Sequence, residues 1–504
     1  MDTKHGFIHS LRAEQRMDVV LLTSILSNTN RLYRPWGPYQ LAWYLRKHGY
    51  QVQVLDFLHK YEKQKVLELI GKFISPETKI VGWNCMFMPG HEKWWTKMIC
   101  EEIVPTLRRR YPHVTFVTGG ASVHEINRMY RSRRVFDYLF YGHAEDTLLA
   151  FCEHVYRGKA RPDVEIVLGN KVIRETVPLP TLKSRFRIDD CDHVWHERDC
   201  IQPGESLPIE MARGCIFKCK FCRYPYIGKT KNDFTRGIEH VRDELIRNHE
   251  AFGTRYYYML EDTFNDSNDK VNAFAAMSQA LPFRIGFAAY LRPDLIYSFP
   301  GQAEKLRDAG LLSGFLGIES LGAESSRLIG KAWSGQHARE WIPKLYHELW
   351  GGKITFRTSL IIGIPPDTRE DLLATHQWAV DNGLPNWKWH VLNVNRDHQS
   401  TWISEFDRNA DDYGFSWYTE RGQTRWKTAV MTWREAKNLQ AELETLGKPH
   451  QMQDCWGLIE RGTYGYDLVE DRHQLIVQMD RQDAAKRRKQ FLKTYYQQVM
   501  ALPT

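Results

Sequence analysis

The sequence predicts an α/β protein in three parts: an N-terminal doubly wound parallel sheet, a central partial (β/α)6 barrel and a C-terminal, mainly helical cap. Three observations carry this reading. Five short apolar runs alternate with helix-length stretches between residues 18 and 156. Six strand–helix repeats follow between 207 and 395, with polar residues at each strand's end. Beyond 395 the pattern turns aromatic and turn-rich, then helical. Strands alternating with helices of this length argue for parallel sheets. The boundaries are 1–157, a linker over 158–206, then 207–395 and 396–504.

In the first part the strands are Asp18–Leu22, Gln51–Asp56, Lys79–Trp83, Val114–Thr118 and Tyr138–Tyr141. The helices between and after them cover Tyr39–His48, Tyr61–Phe73, His91–Arg110 and Asp146–Tyr156. Doubly wound sheets bind ligands at the carboxyl ends of their strands, near the switch in strand order. Asn84, the pair Gly119 and Gly120, and Gly142 with Glu145 fall at such ends. Glycines there let a ligand approach the backbone closely. The linker contains Arg161-Pro-Asp, Val177-Pro-Leu-Pro180 and a polar run through His193, with one small hairpin at Val164–Ile173.

The central part opens with the strand Leu207–Met211, which delivers Cys215-x3-Cys219-x2-Cys222. Three thiolates at this spacing can surround one iron–sulfur cube and leave its fourth iron without a protein ligand. The competing chemistry is structural zinc, which closes a tetrahedron with four ligands. The spare cysteines nearby, Cys191 and Cys200, do not make a second close pair. The later strands end in Glu261-Asp262, Leu291-Arg-Pro-Asp294, Glu319-Ser320 and Gly363-Ile-Pro365, and Trp389–Asn393 is the last. Polar residues gathered at one rim of a barrel are where such folds place their chemistry.

The cysteine spacing, with Phe221 one residue before the last cysteine, resembles the signature of the radical S-adenosylmethionine (SAM) superfamily. The resemblance implies a 4Fe–4S cubane cluster on Cys215, Cys219 and Cys222, with SAM chelating the open iron through its amino and carboxylate groups. An electron from the cluster then cleaves SAM to methionine and a 5′-deoxyadenosyl radical. By the same resemblance Glu261 and Asp262 meet the SAM amino group, and Glu319 and Ser320 reach its ribose and carboxylate region. Lys331 stands where many relatives carry a lysine, Gly363 supports adenine, and Arg357 points into the barrel towards the carboxylate. No residue is assigned a catalytic role of its own.

The N-terminal part is similar to the cobalamin-binding, Rossmann- or flavodoxin-like domain that precedes the radical SAM core in one branch of that superfamily. Arg34-Pro-Trp-Gly-Pro, Gly119-Gly120 and Gly142-x-x-Glu145 carry the likeness. The Asp-x-His-x-x-Gly motif, whose histidine ligates cobalt, is absent; Asp56-Phe-Leu-His59 has the wrong spacing. The resemblance therefore implies cobalamin bound without a histidine on cobalt.

Taken over residues 1 to about 395, the resemblance implies a cytoplasmic, cobalamin-dependent radical SAM enzyme that methylates an unactivated carbon of a small molecule or peptide. A flavodoxin or ferredoxin would supply its electron. The alternatives are a radical SAM enzyme with no cobalamin or with a non-methylating rearrangement and, from another class, a metal-stapled RNA-binding protein.

Composition agrees with an enzyme of this kind. A net charge of +8 over 504 residues is mild, and Lys486-Arg-Arg-Lys489 reads as a solvated helix face, so nucleic acid is not expected. No stretch has the apolar length to span a bilayer, and the N-terminus lacks the apolar core of a secretory signal. Nine cysteines, three of them clustered, suit a reducing compartment. Helices expected at Thr432–Thr445, Gln453–Gly462 and Asp480–Gln498 would close the barrel mouth and select the substrate.

Overall fold

The computed structural model describes residues 16–504 apart from 24–31, 85–92, 121–122, 124–134, 141–142, 161–163, 169–170, 177–185, 224–228, 231–232, 332, 397–402, 451–454 and 470–480. The chain divides into two compact units. The first comprises 1–186, 193–202 and 485–504, and the second 187–192 and 203–484.

The first unit is built on a sheet of seven strands: β1 (Val19–Leu22), β2 (Val52–Leu55), β3 (Ile80–Asn84), β4 (Thr115–Gly119), β5 (Tyr138–Phe140), β6 (Val164–Leu168) and β7 (Lys171–Thr176). Every residue of β1 and β2 is buried, Gln53 included, as expected when helices cover both faces of a parallel sheet. The order is β2-β1-β3-β4-β5-β7-β6, and the first five strands are parallel. The switch in order lies between β1 and β3, as in doubly wound flavodoxin-like sheets.

Two segments lie elsewhere than the sequence pattern placed them. The hairpin assigned to the linker instead extends this sheet: β7 pairs parallel to β5, with Leu139 opposite Glu175, and antiparallel to β6. The periodicity puts the final helix, Arg481–Ala501, in the C-terminal cap, yet residues 485–504 belong to the first unit. Strand and helix periodicity show an element's inner face but not its partner, and both misplacements are of that kind.

The helix is anchored by a buried polar network. Asp56, just after β2, accepts hydrogen bonds from the Thr23 hydroxyl, from the Tyr39 hydroxyl at 3.0 Å and from the Phe57 N–H at 2.6 Å. Its own N–H donates to the Tyr495 hydroxyl at 2.8 Å. Arg34 donates to the Tyr39 hydroxyl at 2.6 Å and to the carbonyls of Asp199 and Cys200, and its guanidinium lies 5.5 Å from the centre of the Tyr495 ring. Burial pushes the Asp56 carboxyl up to about 6, against the pull of Arg34 and the donors. The Tyr495 ring packs edge-on against Phe57, with centroids 5.1 Å apart.

The second unit contains six parallel strands in sequential order: β8 (Leu207–Ile209), β9 (Tyr256–Met259), β10 (Gly286–Leu291), β11 (Leu311–Glu319), β12 (Thr355–Ile362) and β13 (Trp387–Val391). β8 and β13 are the edges and are not paired to each other, so the sheet is an open, partial barrel. Parallel neighbours in sequential order need a crossover each time, and the helices supply it. Side chains alternate across a strand. Tyr257 accordingly faces Glu244 and Asn248 of the helix Ile238–Phe252, while Tyr256 and Tyr258 face the opposite way.

That opposite face is filled by the helix Cys455–Thr463, which packs against β9, β10, β11 and β12. Its Trp456 ring lies 5.8 Å from Tyr258 and 5.0 Å from Tyr290, and its Ile459 carbonyl accepts from the Ser206 hydroxyl at 2.7 Å. The helix expected to cap the mouth therefore lies along the inner face of the sheet. A hairpin of β14 (Ser416–Glu420) and β15 (Gln423–Lys427), which periodicity had not resolved, precedes the helix Trp433–Gly447. Among the described residues no helix is long and apolar enough to cross a membrane.

The network around Tyr495 makes a direct forecast. Tyr495→Ala should lower the stability of the first unit by about 3–5 kcal/mol, the range for deleting a buried aromatic ring. Tyr495→Phe should cost about 1–3 kcal/mol, because the buried Asp56 N–H loses its acceptor. Urea unfolding of the full chain measures both, and an unchanged midpoint for Tyr495→Ala would remove this helix from the unit's core.

Candidate active site at the carboxyl ends of the second sheet

Because β8 to β12 are parallel, the segments that follow them emerge at one end. The cysteine loop follows β8, and several later segments pin it. Glu261, after β9, accepts the Met211 N–H at 2.9 Å. Arg213 pairs with Glu210 at 2.8 Å, both nearly fully buried. The Lys220 N–H donates to the Ile329 carbonyl at 3.1 Å, and the Lys220 carbonyl accepts from Phe406 at 2.9 Å. Arg223, just past the last cysteine, is held by the buried Asp407 carboxylate at 2.8 Å.

All three thiols are half-buried. The Cys215 sulfur lies 3.3 Å from the Thr263 hydroxyl, and burial pushes its thiol up. The Cys222 N–H donates to the Cys219 carbonyl at 2.9 Å, closing the second turn of the motif. The Cys219 sulfur accepts from Arg292 Nη1 at 3.4 Å. Phe221 is half-buried on the same loop. Among the described residues no group of three or more His, Cys, Asp or Glu is arranged to hold a single metal ion. A cube distributes its thiolates over separate irons, so it asks for a wider triangle than zinc does.

The acidic pair after β9 divides in character. Glu261 is 1% exposed and one of its oxygens already serves Met211, whereas Asp262 is half-buried. Burial pushes both carboxyls up to about 7, against Lys270 at Glu261 and Lys229 at Asp262. Those two lysines close on Asp266 at 2.6 and 2.9 Å, in a buried three-charge group that the sequence did not disclose.

Glu319 ends β11 at a shift of register, where Gly317 opposes Ser359 and Glu319 opposes Leu360. Its φ of +72° is left-handed, a rare and strained conformation for a residue with a side chain. The distortion brings its carboxylate to the Ser359 hydroxyl at 2.9 Å and to Lys331 Nζ at 3.9 Å. Burial raises its pKa; Lys331, Ser359 and Arg292 oppose that rise, in this order. Lys331 also donates to the Gly317 carbonyl at 2.8 Å. Register places Tyr290, Phe315 and the half-buried Arg357 in one row, on the face that meets Trp456.

Two expected site residues have other partners. The Ser320 hydroxyl donates to Asp367 at 3.1 Å and accepts the Gly322 N–H at 3.0 Å. Asp367 also takes the Ser325 hydroxyl, and burial pushes its carboxyl up to about 6. A small cleft of about 110 Å³ opens beside this group, lined by Glu319, Ser320, Leu360, Asp367 and Trp389 among others. Gly363 has φ +101°, and a Cβ there would meet the Trp426 ring at 2.4 Å. The glycine thus seats Trp426, whose indole donates to the Leu392 carbonyl at 2.8 Å.

In the first unit, Asn84 and Gly119 stand opposite each other where β3 and β4 end. Gly120 follows with φ +117°, a conformation that a side chain would strain. The close approach at Gly119 is to its neighbour: an added Cβ would meet Phe140 at 3.2 Å. Glu145 is buried in the first turn of the helix Glu145–Arg157, and Gly142 lies outside the described residues. The His59 ring nitrogens are buried without hydrogen-bond partners, and burial pushes the imidazole down to about 3, so it is neutral.

Comparison with known proteins agrees with this architecture. The model of the radical SAM superfamily matches residues 209–379. A tRNA-2-methylthio-N(6)-dimethylallyladenosine synthase of Syntrophomonas wolfei is 27% identical over 244 residues, which are 42% of this chain and 50% of that protein. An uncharacterized methyltransferase of Pyrococcus horikoshii is 26% identical over 176 residues, 34% of this chain and 36% of that protein. The chain thus spans half or less of the length of these curated relatives. Among solved structures, the radical SAM methyltransferase TsrM of Kitasatospora setae, with tryptophan and a SAM analogue bound, superposes with a TM-score of 0.56 at 16% identity, covering 80% of this chain and 79% of that one. The cobalamin-dependent radical SAM enzyme OxsB, with aqua-cobalamin and SAM bound, gives 0.55 at 15% identity, covering 79% of this chain and 56% of that one. These likenesses establish the fold. The radical SAM superfamily model thus lies on the stretch from the end of β8 through β12, with the cysteine loop inside it, and residues 209–379 are similar to a radical SAM domain.

Proposed function

We propose that this protein is a cobalamin-dependent radical SAM enzyme that methylates an unactivated carbon of a small molecule or peptide. The observation that carries the first half is the cysteine loop. Three half-buried thiols sit on a loop pinned from several sides, one against a hydroxyl and one against a guanidinium. Both neighbours can donate a hydrogen bond to sulfur, so the residues fit a cubane cluster on Cys215, Cys219 and Cys222. When bound, the cofactors supply the electron, the adenosyl radical and the methyl group; the protein supplies position and electrostatics.

The chain's own groups divide the remaining work. Asp262, more exposed than Glu261, offers its carboxylate to the SAM ammonium, while Glu261 holds the loop through Met211. Glu319, oriented by Ser359 and Lys331, takes the ribose hydroxyls. Arg357 faces inward for the carboxylate. The helix Cys455–Thr463 lines the inner face and contributes to substrate selection. The names of TsrM and OxsB, with the ends of β3 and β4 in the first unit, support cobalamin as the second cofactor. A one-electron donor of the flavodoxin or ferredoxin class is required as partner.

Anaerobic reconstitution tests the core of this reading. The wild-type chain should acquire iron, sulfide and the broad visible absorbance of a cubane cluster. Replacing Cys215, Cys219 and Cys222 together by Ala should abolish both the absorbance and SAM cleavage; retention of wild-type iron and cleavage would refute the assignment.

SAM affinity tests Glu319. A carboxylate bonded to a polar partner contributes about 1.5–3 kcal/mol where charge assists. Glu319→Ala should therefore weaken SAM binding by about tenfold or more and leave iron content unchanged. Equal dissociation constants would take Glu319 out of the site.

For cobalamin, the full chain incubated with hydroxocobalamin and desalted should retain about one corrin per chain. Asn84→Trp, which adds bulk beside Gly119 without touching the strained glycine backbone, should retain much less. Electron paramagnetic resonance of the cobalt(II) form should show no axial nitrogen splitting, and His59→Ala should not alter it. No retained corrin would leave a radical SAM enzyme without cobalamin, and splitting lost with His59 would make that residue a ligand.

A further inference from the structure

Arg292 follows β10 immediately, and it is among the most constrained side chains of the second unit. Asn265, fully buried, grips its backbone from both sides: Oδ1 accepts the Arg292 N–H at 2.9 Å and Nδ2 donates to the Arg292 carbonyl at 3.0 Å. Gln302, also fully buried, fixes Asn265 at 3.0 Å. The side chain is 5% exposed as a residue and is forked onto Asp294, Nε to Oδ1 at 3.1 Å and Nη2 to Oδ2 at 2.6 Å. Its plane covers the Phe217 ring at 3.8 Å from the centroid, and Phe217 lies between the first two cysteines of the motif. The remaining terminal nitrogen, Nη1, donates to the Cys219 sulfur at 3.4 Å.

This arrangement does more than fill space. A guanidinium paired with one carboxylate has its other nitrogen free to act at a distance, and here that nitrogen is aimed at a thiol. A lysine would give a point charge on a flexible stem, whereas arginine's fork bonds Asp294 and Cys219 at fixed angles. The same charge also acts on Glu319, whose carboxylate it helps to keep ionised. One rigid cation therefore stands within the field of both the cysteine loop and the acidic end of β11.

We propose that Arg292 is a positioning residue that sets the reduction potential of the cluster, by presenting a fixed positive charge and an N–H donor to the sulfur of Cys219. This rests on the cofactor reading above. Hydrogen bonds to cluster sulfurs and the net charge around them are what tune such potentials. One-electron reduction adds negative charge to the cube without making or breaking a bond, so a cation locked beside one sulfur stabilises the reduced form. Because the residue is held at backbone and side chain before any cofactor arrives, little reorganisation is needed when the electron enters.

The test uses the full chain, reconstituted anaerobically and titrated with dithionite and redox mediators in the absence of SAM, with the reduced cluster followed by electron paramagnetic resonance. Arg292→Gln is combined with Asp294→Asn so that no lone buried carboxylate remains. Arg292→Lys, which keeps the charge, is measured beside it. The double variant should keep wild-type iron and sulfide and become harder to reduce by about tenfold or more, equivalent to about 59 mV for one electron. Arg292→Lys should fall between it and the wild type. An unchanged potential at full iron content overturns the proposal, and if SAM affinity alone drops, Arg292 is a substrate-side ligand instead. Loss of iron in both variants makes the residue structural only and also overturns it. A wild-type chain that takes up no iron refutes the cofactor reading itself, a result distinct from any of these.

Discussion

The contact between the Arg292 guanidinium, the Phe217 ring and the Cys219 sulfur ties the cysteine loop to the end of β10, and Asn265, Gln302 and Asp294 hold the arginine in place. A loop of eight residues carrying three thiols has little core of its own. Its order comes from outside: from Glu261 after β9, from Ile329 beyond β11 and from Phe406 beyond β13. Each tie is a hydrogen bond made by a backbone N–H, a group that costs free energy when buried and left unpaired. The parallel sheet matters because it delivers all these partners to the same end. Any other strand direction would scatter them.

Much of this was legible in the sequence. The first five strands of the first sheet and all six of the second were visible as strand patterns, whereas β6 and β7 read as a hairpin in the linker, and the cysteine motif was readable from spacing alone. So were the polar residues at the strand ends, since a parallel strand's carboxyl end is a local feature. What the sequence did not disclose was pairing across long separations. Tyr495 and Asp56 are 439 positions apart, and nothing in either neighbourhood names the other. Trp426 reads as one aromatic among many until Gly363 is seen to make room for it. The sequence pattern places Ser320 beside the ligand, but it does not name the hydroxyl's partner Asp367, which lies 47 positions further on. Arg292 stood in plain view in Leu291-Arg-Pro-Asp294, where a helix-starting proline and an acidic neighbour hid a more specific role.

The left-handed backbone at Glu319 connects strain with chemistry. Non-glycine residues in this conformation store on the order of 1–3 kcal/mol and persist where surrounding structure over-determines them. Here Ser359 and Lys331 hold the carboxylate and Asp367 holds the next residue, so the distortion has two independent clamps. A relaxed strand end would turn the carboxylate to the other face of the sheet, because side chains alternate. The register shift between Gly317 and Glu319 is therefore the means by which one acidic group is aimed.

The first unit is assembled from pieces that lie on both sides of the second in the chain. On a ribosome its sheet emerges early, but the helix that covers Phe57 and bonds Asp56 comes roughly 300 residues later. At ordinary synthesis rates that is about half a minute during which the hydrophobic surface beside β2 lacks its last cover. The second unit, interrupted only by residues 193–202, can complete its own core within that interval. The order of folding is thus set by where the segments fall in the chain: the part that appears first is finished last. Nascent chains stalled before residue 485 would leave Phe57 without its aromatic cover and the Asp56 N–H without its acceptor while already carrying a complete cysteine loop.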